Sequence, residues 1–265
     1  MCLILFAYHS HDDFPFVVAA NRDEFYQRNT RPAHFWEDSP ELLAGKDMEA
    51  GGTWLGMTRS GRFAAVTNFR DGNRTPNPQA LSRGDLTREF LQSDMSAASY
   101  AEMLTSKANF YNPFNLLLKD DSGMVYFNNI NVETTIIEPG IYGLGNHLLN
   151  TPWPKCKIGK TALQRTLDDA NSNISDAPER LSRYLLETLQ DSTQATDEEL
   201  PETGIDRERE KLLSSIFIST PQYGTRCSTT IVATPQQTLF TEVNYTPDTH
   251  QPLNPLQFII PSTRE

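Results

Sequence analysis

Hydrophobic and polar positions follow two different periods along the chain. Cys2–Tyr8 (CLILFAY) and Phe14–Asn21 (FPFVVAAN) are short apolar runs parted by the polar HSHDD, the pattern of two buried strands joined by a loose turn. Thr53–Thr58 (TWLGMT) and Arg62–Asn68 (RFAAVTN) flank Arg59-Ser60-Gly61, which predicts a second hairpin with glycine in its turn. The spacing then lengthens. Ser82–Ser93 and Ser96–Asn109 carry helix-type spacing, with Ser82 and Ser96 as N-caps. Phe114–Lys119 and Met124–Asn128 around Asp120-Asp121-Ser122-Gly123 return to the strand pattern, and Thr134–Ile137 and Ile141–Leu144 continue it around Pro139-Gly140. Helical spacing resumes over 157–170 and 178–190, where Pro178 suits a first helical turn. The polar, acidic stretch 191–207 reads as a surface loop. Four strand-like runs follow it: Ser215–Thr220, Ser228–Ala233, Gln237–Val243 and Leu256–Ile260.

Groups of hairpin strands thus alternate with groups of helices, which indicates an α+β chain rather than one built from βαβ units. No repeat and no linker divides it, so 1–265 reads as a single domain.

Composition narrows the picture. Hydrophobic residues make up 38% and charged residues 22% of the chain, a balance that supports a core. The net charge of −11 argues against nucleic acid as a partner, because binding a phosphate backbone needs a basic footprint. Cys2–Tyr8 is too short to span a bilayer and lacks the flanks of a signal peptide, so no membrane span and a cytoplasmic location are expected. The three cysteines, Cys2, Cys156 and Cys227, form no C-x-x-C pair, which gives neither a disulfide framework nor a zinc site. His9 and His11 beside Asp12 and Asp13 fall in a predicted turn and read as solvated polar groups, not metal ligands. Oligomeric state is not legible.

Five places carry candidate chemistry. Cys2 directly follows Met1. Once Met1 is trimmed, the thiol shares its residue with a free α-amine, which titrates near 7.7–8.0 and can serve as the local base for the thiol. A small apolar residue opening a strand is the other reading of Cys2. Asn21-Arg22-Asp23-Glu24 ends the second predicted strand, and an antiparallel hairpin returns that end to the start of the first, beside Cys2. There Arg22 and Asp23 could hold the amine and bind a polar ligand group, or simply form a solvated strand end. Asn68, at the end of AVTN, has an amide able to donate to an oxyanion or to cap a turn. Gly143-Leu144-Gly145-Asn146-His147 and the following Asn150 lack the strand–loop–helix setting of a nucleotide fingerprint. Arg226 sits in a polar entry to a strand.

These stretches together resemble the NRDE-motif family, the relatives of the transport and Golgi organisation protein 2. The matching pieces are Met1-Cys2, Asn21–Glu24, Gly51-Gly52-Thr53-Trp54-Leu55-Gly56, Thr67-Asn68-Phe69-Arg70, Ser82-Arg83-Gly84, Pro113-Phe114-Asn115-Leu116, Asn150-Thr151-Pro152-Trp153-Pro154-Lys155 and Gly224-Thr225-Arg226. The resemblance implies a fold like that of N-terminal-nucleophile hydrolases: a four-layer αββα sandwich of two antiparallel sheets, with the first residue at the end of a central strand. Within that class the bile-salt hydrolase and penicillin V acylase branch implies Cys2 as nucleophile, Arg22 and Asp23 as its positioning pair, Asn68 and Asn150 at the oxyanion, and Arg226 as a late arginine. It also implies small-molecule partners, namely an amide or acyl substrate, heme, or acyl-CoA, since the family is linked to heme mobilisation and to lipid homeostasis. Hydrolysis would require no cofactor. Heme is a possible bound ligand, with Cys2 and His147 as candidate axial residues and the many aromatics (14 Phe, 9 Tyr, 3 Trp) as pocket walls. A hydrolase and a carrier therefore stand side by side as expectations, because a fold does not fix a function.

Overall fold

The computed structural model describes residues 2–170 and 177–262. The chain begins with β1 (Cys2–Tyr8) and β2 (Phe16–Phe25), continues through β3 (Thr30–Trp36), β4 (Ser39–Asp47), β5 (Leu55–Thr58) and β6 (Phe63–Asn68), and then forms α1 (Arg83–Gln92) and α2 (Ala97–Thr105). Four more strands follow, β7 (Phe114–Asp120), β8 (Gly123–Asn128), β9 (Glu133–Ile136) and β10 (Gly140–Leu144). After α3 (Pro154–Ala170), α4 (Ala177–Thr188) and the short α5 (Arg207–Leu212), the chain closes with β11 (Tyr223–Ala233), β12 (Gln237–Asn244) and β13 (Leu256–Pro261).

The strands form two antiparallel sheets, one ordered β10-β1-β2-β11-β12-β13 and the other β3 through β9 in sequence. Their facing sides share one core. Ile4, Phe6 and Val18 from the first sheet pack with Leu43, Met57, Phe63 and Leu117 from the second. The residues between them point outward. Leu3, Leu5 and Val17 bury against Leu163 and Leu167 of α3 and Leu181 and Leu185 of α4. On the far side, Leu42, Ala64 and Leu116 bury against Leu86 and Phe90 of α1 and Tyr100 and Leu104 of α2. The result is the α+β, αββα sandwich. It explains why CLILFAY is apolar throughout: β1 is covered on both faces, so alternation gives way to a continuous run.

Three departures from the sequence pattern have physical causes. Strands β3 and β4 lie where the pattern predicts no element, because each carries a proline. Pro32 falls where the β3–β4 register shifts, and β3 is a sheet edge, both places that tolerate proline. Pro40 precedes the start of the β4–β5 ladder at Leu42. Ser215–Thr220 is expected to be a strand and is not one. Ile216, Phe217 and Ile218 are buried, yet their backbone is satisfied outside a ladder: Phe217 N donates to Asp191 O at 2.8 Å and Ile218 N to Thr225 Oγ1 at 3.0 Å. Finally, Ser96 caps α2 through Ser99 N, whereas Ser82 makes no side-chain cap bond on α1.

Candidate active site

The first hairpin sets the geometry. Its register pairs Cys2 with Arg22, and β11 pairs Cys227 with the same Arg22 from the other side. Three adjacent strand ends thus carry thiol, guanidinium and thiol in a row. The two sulfur-bearing residues are separated by two strand spacings of about 4.8 Å each, beyond the reach of a disulfide. Between Thr225 and Cys227 the register slips, leaving Arg226 as the extra residue of a β-bulge, a device that re-aims a side chain.

These strand ends open into a cleft of about 470 Å³ between the two sheets, walled on one side by the start of α1. Cys2, Arg22, Asp23, Asn68 and Arg226 all line it. Cys2 and Arg22 are each 9% exposed and Asp23 only 2%, so the thiol lies at the floor. Asn68, at the end of β6, is exposed, and its side chain makes no hydrogen bond among the described residues. Asp23 accepts from Thr225 Oγ1 at 2.7 Å. One Arg22 nitrogen, Nη1, is buried without a hydrogen-bond partner among the described residues, while Nη2 lies 3.6 Å from Glu24. Arg226 is spent partly on structure: its Nη1 donates to the carbonyls of Phe25, Tyr26 and Arg28 at 3.0–3.1 Å and so holds the turn after β2.

Asn150 is not brought to this cleft. It is exposed, sits in a left-handed turn with φ 59, and its Oδ1 accepts from Gly143 N at 3.1 Å and from Lys160 Nζ at 2.9 Å. Asparagine suits that backbone conformation, which accounts for the residue without any oxyanion role. His147 is also elsewhere, packed between Phe69 and Trp153 with Nδ1 2.9 Å from Thr151 Oγ1. The expected aromatic walls are absent among the described lining residues except for Trp54; most of the other aromatics fill the cores.

The lining is ionic instead. Six cations (Arg22, Arg28, Arg31, Lys46, Arg83 and Arg226) face four carboxylates (Asp23, Glu24, Asp47 and Glu242). Burial raises Asp23 and Glu242 above their ordinary values. Asp47 goes the other way: burial would raise it, but hydrogen bonds led by the 2.7 Å one from Arg28 hold it low. An acidic protein therefore presents a cleft with excess positive charge. Burial also raises the Cys2 thiol, as does the Asp23 carboxylate, while the Asp23 N–H and Arg22 act to lower it.

Sequence reasoning missed several of these groups as site residues. Arg83, the first residue of α1, is half-buried and its charge acts on Cys2 and Glu24; its signal was the Ser82-Arg83-Gly84 match. Cys227 and Glu242 had no signal beyond lying on strands. Conversely, Asn21 belongs to the motif but not to the cleft. Its Nδ2 donates to Leu189 O and Ile216 O at 2.8 and 2.9 Å, and its Oδ1 accepts from Ser228 Oγ at 2.6 Å.

The sequence profile of the Transport and Golgi organisation 2 family matches residues 1–247. The chain belongs to that family. Similar relatives include the Transport and Golgi organization protein 2 homologs of Bos taurus, 37% identical, and of Homo sapiens, 33% identical, each covering 88% of this chain and 88% of the relative. Transport and Golgi organization protein 2 of Drosophila melanogaster is 25% identical, over 88% of this chain and 87% of its own. Among solved structures, a Caenorhabditis elegans ortholog of N-acylethanolamine-hydrolyzing acid amidase aligns over 87% of this chain and 92% of its own at 11% identity, with a TM-score of 0.41. A mutant conjugated bile acid hydrolase from Clostridium perfringens aligns over 100% and 97% at 9% identity, with a TM-score of 0.36. No described helix of this family member is long and apolar enough to cross a membrane.

Proposed function

We propose that the protein is an N-terminal-cysteine hydrolase of an amide or thioester bond, acting on a small molecule that carries an anionic group. The observation that carries this reading is the placement of Cys2 at the floor of the cleft, register-paired with Arg22 and beside Asp23. Removal of Met1, which lies outside the described residues, moves the α-amine onto Cys2. That amine takes the thiol proton, and the sulfur attacks the acyl carbon. Asn68, with its unengaged amide, donates to the oxyanion. The bond to the leaving group then breaks, the leaving group takes the proton from the ammonium, and a thioester remains on Cys2. Water attacks the thioester, gives up a proton to the sulfur and releases the acid. Asp23 holds the ammonium, and Arg22 and the other cations orient the substrate anion.

Burial holds the Cys2 thiol above its ordinary pKa, so the reaction depends on the amine in place of a preformed thiolate. Intact mass of the purified protein, followed by turnover of amide and acyl-thioester probes by wild type and Cys2→Ala, is the test. The expected result is a chain lacking Met1 and an acyl adduct at Cys2 that the variant loses. Unchanged turnover in the variant overturns the reading.

The same protonated thiol favours a second reading, in which the cleft holds an anionic acyl carrier without cleaving it. The charged walls suit the ionic groups of an acyl-CoA, and would equally take the propionates of heme, for which Cys2 and Cys227 line the cleft and His147 does not. Saturable binding of acyl-CoA to wild type with no turnover would select this reading, and titration with hemin tests the heme alternative.

A further inference from the structure

The segment between β10 and α3 joins the two sheets at the level of Cys2. It leaves β10 after Leu144, which pairs with Ile4, two residues from the thiol. Three successive carbonyls of this segment accept bonds from the second sheet or from the residues just after its β6. Gly145 O accepts from Thr67 Oγ1 at 2.9 Å, Asn146 O from Arg70 N at 2.6 Å, and His147 O from Asn115 Nδ2 at 3.0 Å. Asn146 returns a fourth bond, its Nδ2 donating to the Asn68 carbonyl at 2.9 Å. Asn115 Nδ2 also donates to Thr67 Oγ1 at 3.1 Å, and Asn115 Oδ1 accepts from Tyr126 OH of β8 at 2.6 Å. Thr67, Asn115, Tyr126 and Asn146 are all buried, a setting in which a polar network is rigid and costly to break.

Asn146 is the centre of this clasp. It is 0% exposed and is not among the described residues that line the cleft. Its Oδ1 has no hydrogen-bond partner among the described residues. A buried amide left half satisfied costs stability, so packing does not account for it. What it holds does. Its two bonds bracket Phe69, whose own N–H donates to Pro113 O at 3.1 Å. Beyond the bracket, Arg70 is fixed to Glu210 of α5 at 2.6 Å, and Gly72 N donates to Thr203 O at 2.7 Å. The backbone at Asn68 is thereby held from several directions, while Asn68 itself lines the cleft.

We infer that Asn146 is a positioning residue: it ties the backbone of Asn68, on the second sheet, to the edge of the first sheet that carries Cys2, and so fixes the oxyanion donor against the nucleophile. Its purpose rests on the hydrolase reading, but the clasp is tested without turnover. A group that acts only through Asn68 has a kinetic signature that a substrate contact of its own would not share. Its removal costs no further activity once the Asn68 side chain is gone.

The test is a double-variant cycle in the full chain, with Asn146→Ala, Asn68→Ala and both together. It is read as kcat and KM on an acyl-thioester probe, alongside amide hydrogen exchange. Asn146→Ala lowers kcat by up to about 10²-fold, the scale of a misplaced reacting group, with KM little changed. Added to Asn68→Ala, it lowers kcat no further. Losses that multiply in the double variant overturn the inference, as does a wild-type kcat in Asn146→Ala. In exchange, the Phe69 and Arg70 amides lose protection in Asn146→Ala while those of the β1–β2 hairpin keep theirs. Unchanged protection at Phe69 and Arg70 overturns the clasp. Should Asn146→Ala fail to fold, Thr67→Val removes the neighbouring bond to Gly145 at similar volume and carries the same cycle with the same outcomes. A wild type that turns over no probe, together with that loss of protection in Asn146→Ala, sinks the hydrolase reading and leaves the clasp standing.

Discussion

Two asparagines that look alike in the chain do different work, and substitution separates them. Asn21 replaces backbone partners for Leu189 and Ile216, where α4 and the irregular apolar segment meet β2. Asn21→Ala leaves two buried carbonyls and the Ser228 hydroxyl short of a partner and is expected to cost about 3 kcal/mol, read by urea denaturation. Asn68 is exposed and free of such duties. Asn68→Ala is expected to leave the denaturation midpoint in place while lowering turnover of the acyl probe by about 10²-fold. An equal loss of stability in both would remove the distinction. At this scale the sequence, through its first hairpin, was a guide to Cys2, Arg22 and Asp23 as neighbours, whereas Asn68 reaches the same cleft from β6 of the other sheet and Arg226 from β11, beside β2. It misplaced Asn150, because a left-handed turn and an oxyanion hole favour the same side chain. It was silent on the burial of Lys155, because nothing local says that the first turn of α3 packs against the sheet.

Among the elements, α1 is the one whose placement shapes the cleft, and two glycines let it approach. A Cβ on Gly52 would stand 2.5 Å from the Gly84 carbonyl carbon and 2.7 Å from its oxygen, both backbone atoms of the helix start. Thr53 N also donates to Gly84 O at 3.2 Å across the same contact. Gly52→Ala therefore pushes the first turn of α1, with Arg83, away from the floor. The expected effect is a loss of about 2 kcal/mol in stability and weaker retention of the substrate anion, read as a raised KM with a smaller change in kcat. An unaltered KM would show that α1 does not define the binding wall. Element boundaries were legible where apolar runs were dense, as in β1, β2, β7 and β8. They were not where prolines and charges mark an edge, as in β3, nor where 215–220 buries its apolar side chains without joining a ladder.

At the scale of the whole molecule, acid and base act on the fold through opposing carboxylates. Glu242 is buried at 3% exposure, accepts from Ala33 N at 2.8 Å and from Asn244 Nδ2 at 2.9 Å, and is raised above its usual 4.5 by burial. The folded state thus binds its proton more tightly than the unfolded state. Its contribution to stability is full below 4.5 and is lost as pH rises through the folded value. Compared with Glu242→Gln, wild type should lose stability over that rise, and the gap between their melting temperatures should widen in the variant's favour. Asp47 and Asp120 work in reverse. Both are held below 3.8 in the fold, against burial and by hydrogen bonds led by Arg28 and Ser122 respectively, so their contribution is lost as pH falls through the folded values. A gap that is flat with pH would show that Glu242 carries no excess proton affinity.

The order of the first sheet has a consequence for the timing of biosynthesis. Strand β2 sits between β1, which leaves the ribosome with it, and β11, which is made some two hundred residues later. The hairpin of β1 and β2 can close early. The Thr225 hydroxyl on Asp23 and the bulged Arg226 arrive only after some two hundred further residues have been made, and contacts this distant in sequence form late. A nascent chain stalled before β11 would hold Cys2 and Arg22 in register in an unfinished cleft. The start of β1 thus gains its neighbours on β11 long after its own hairpin can close.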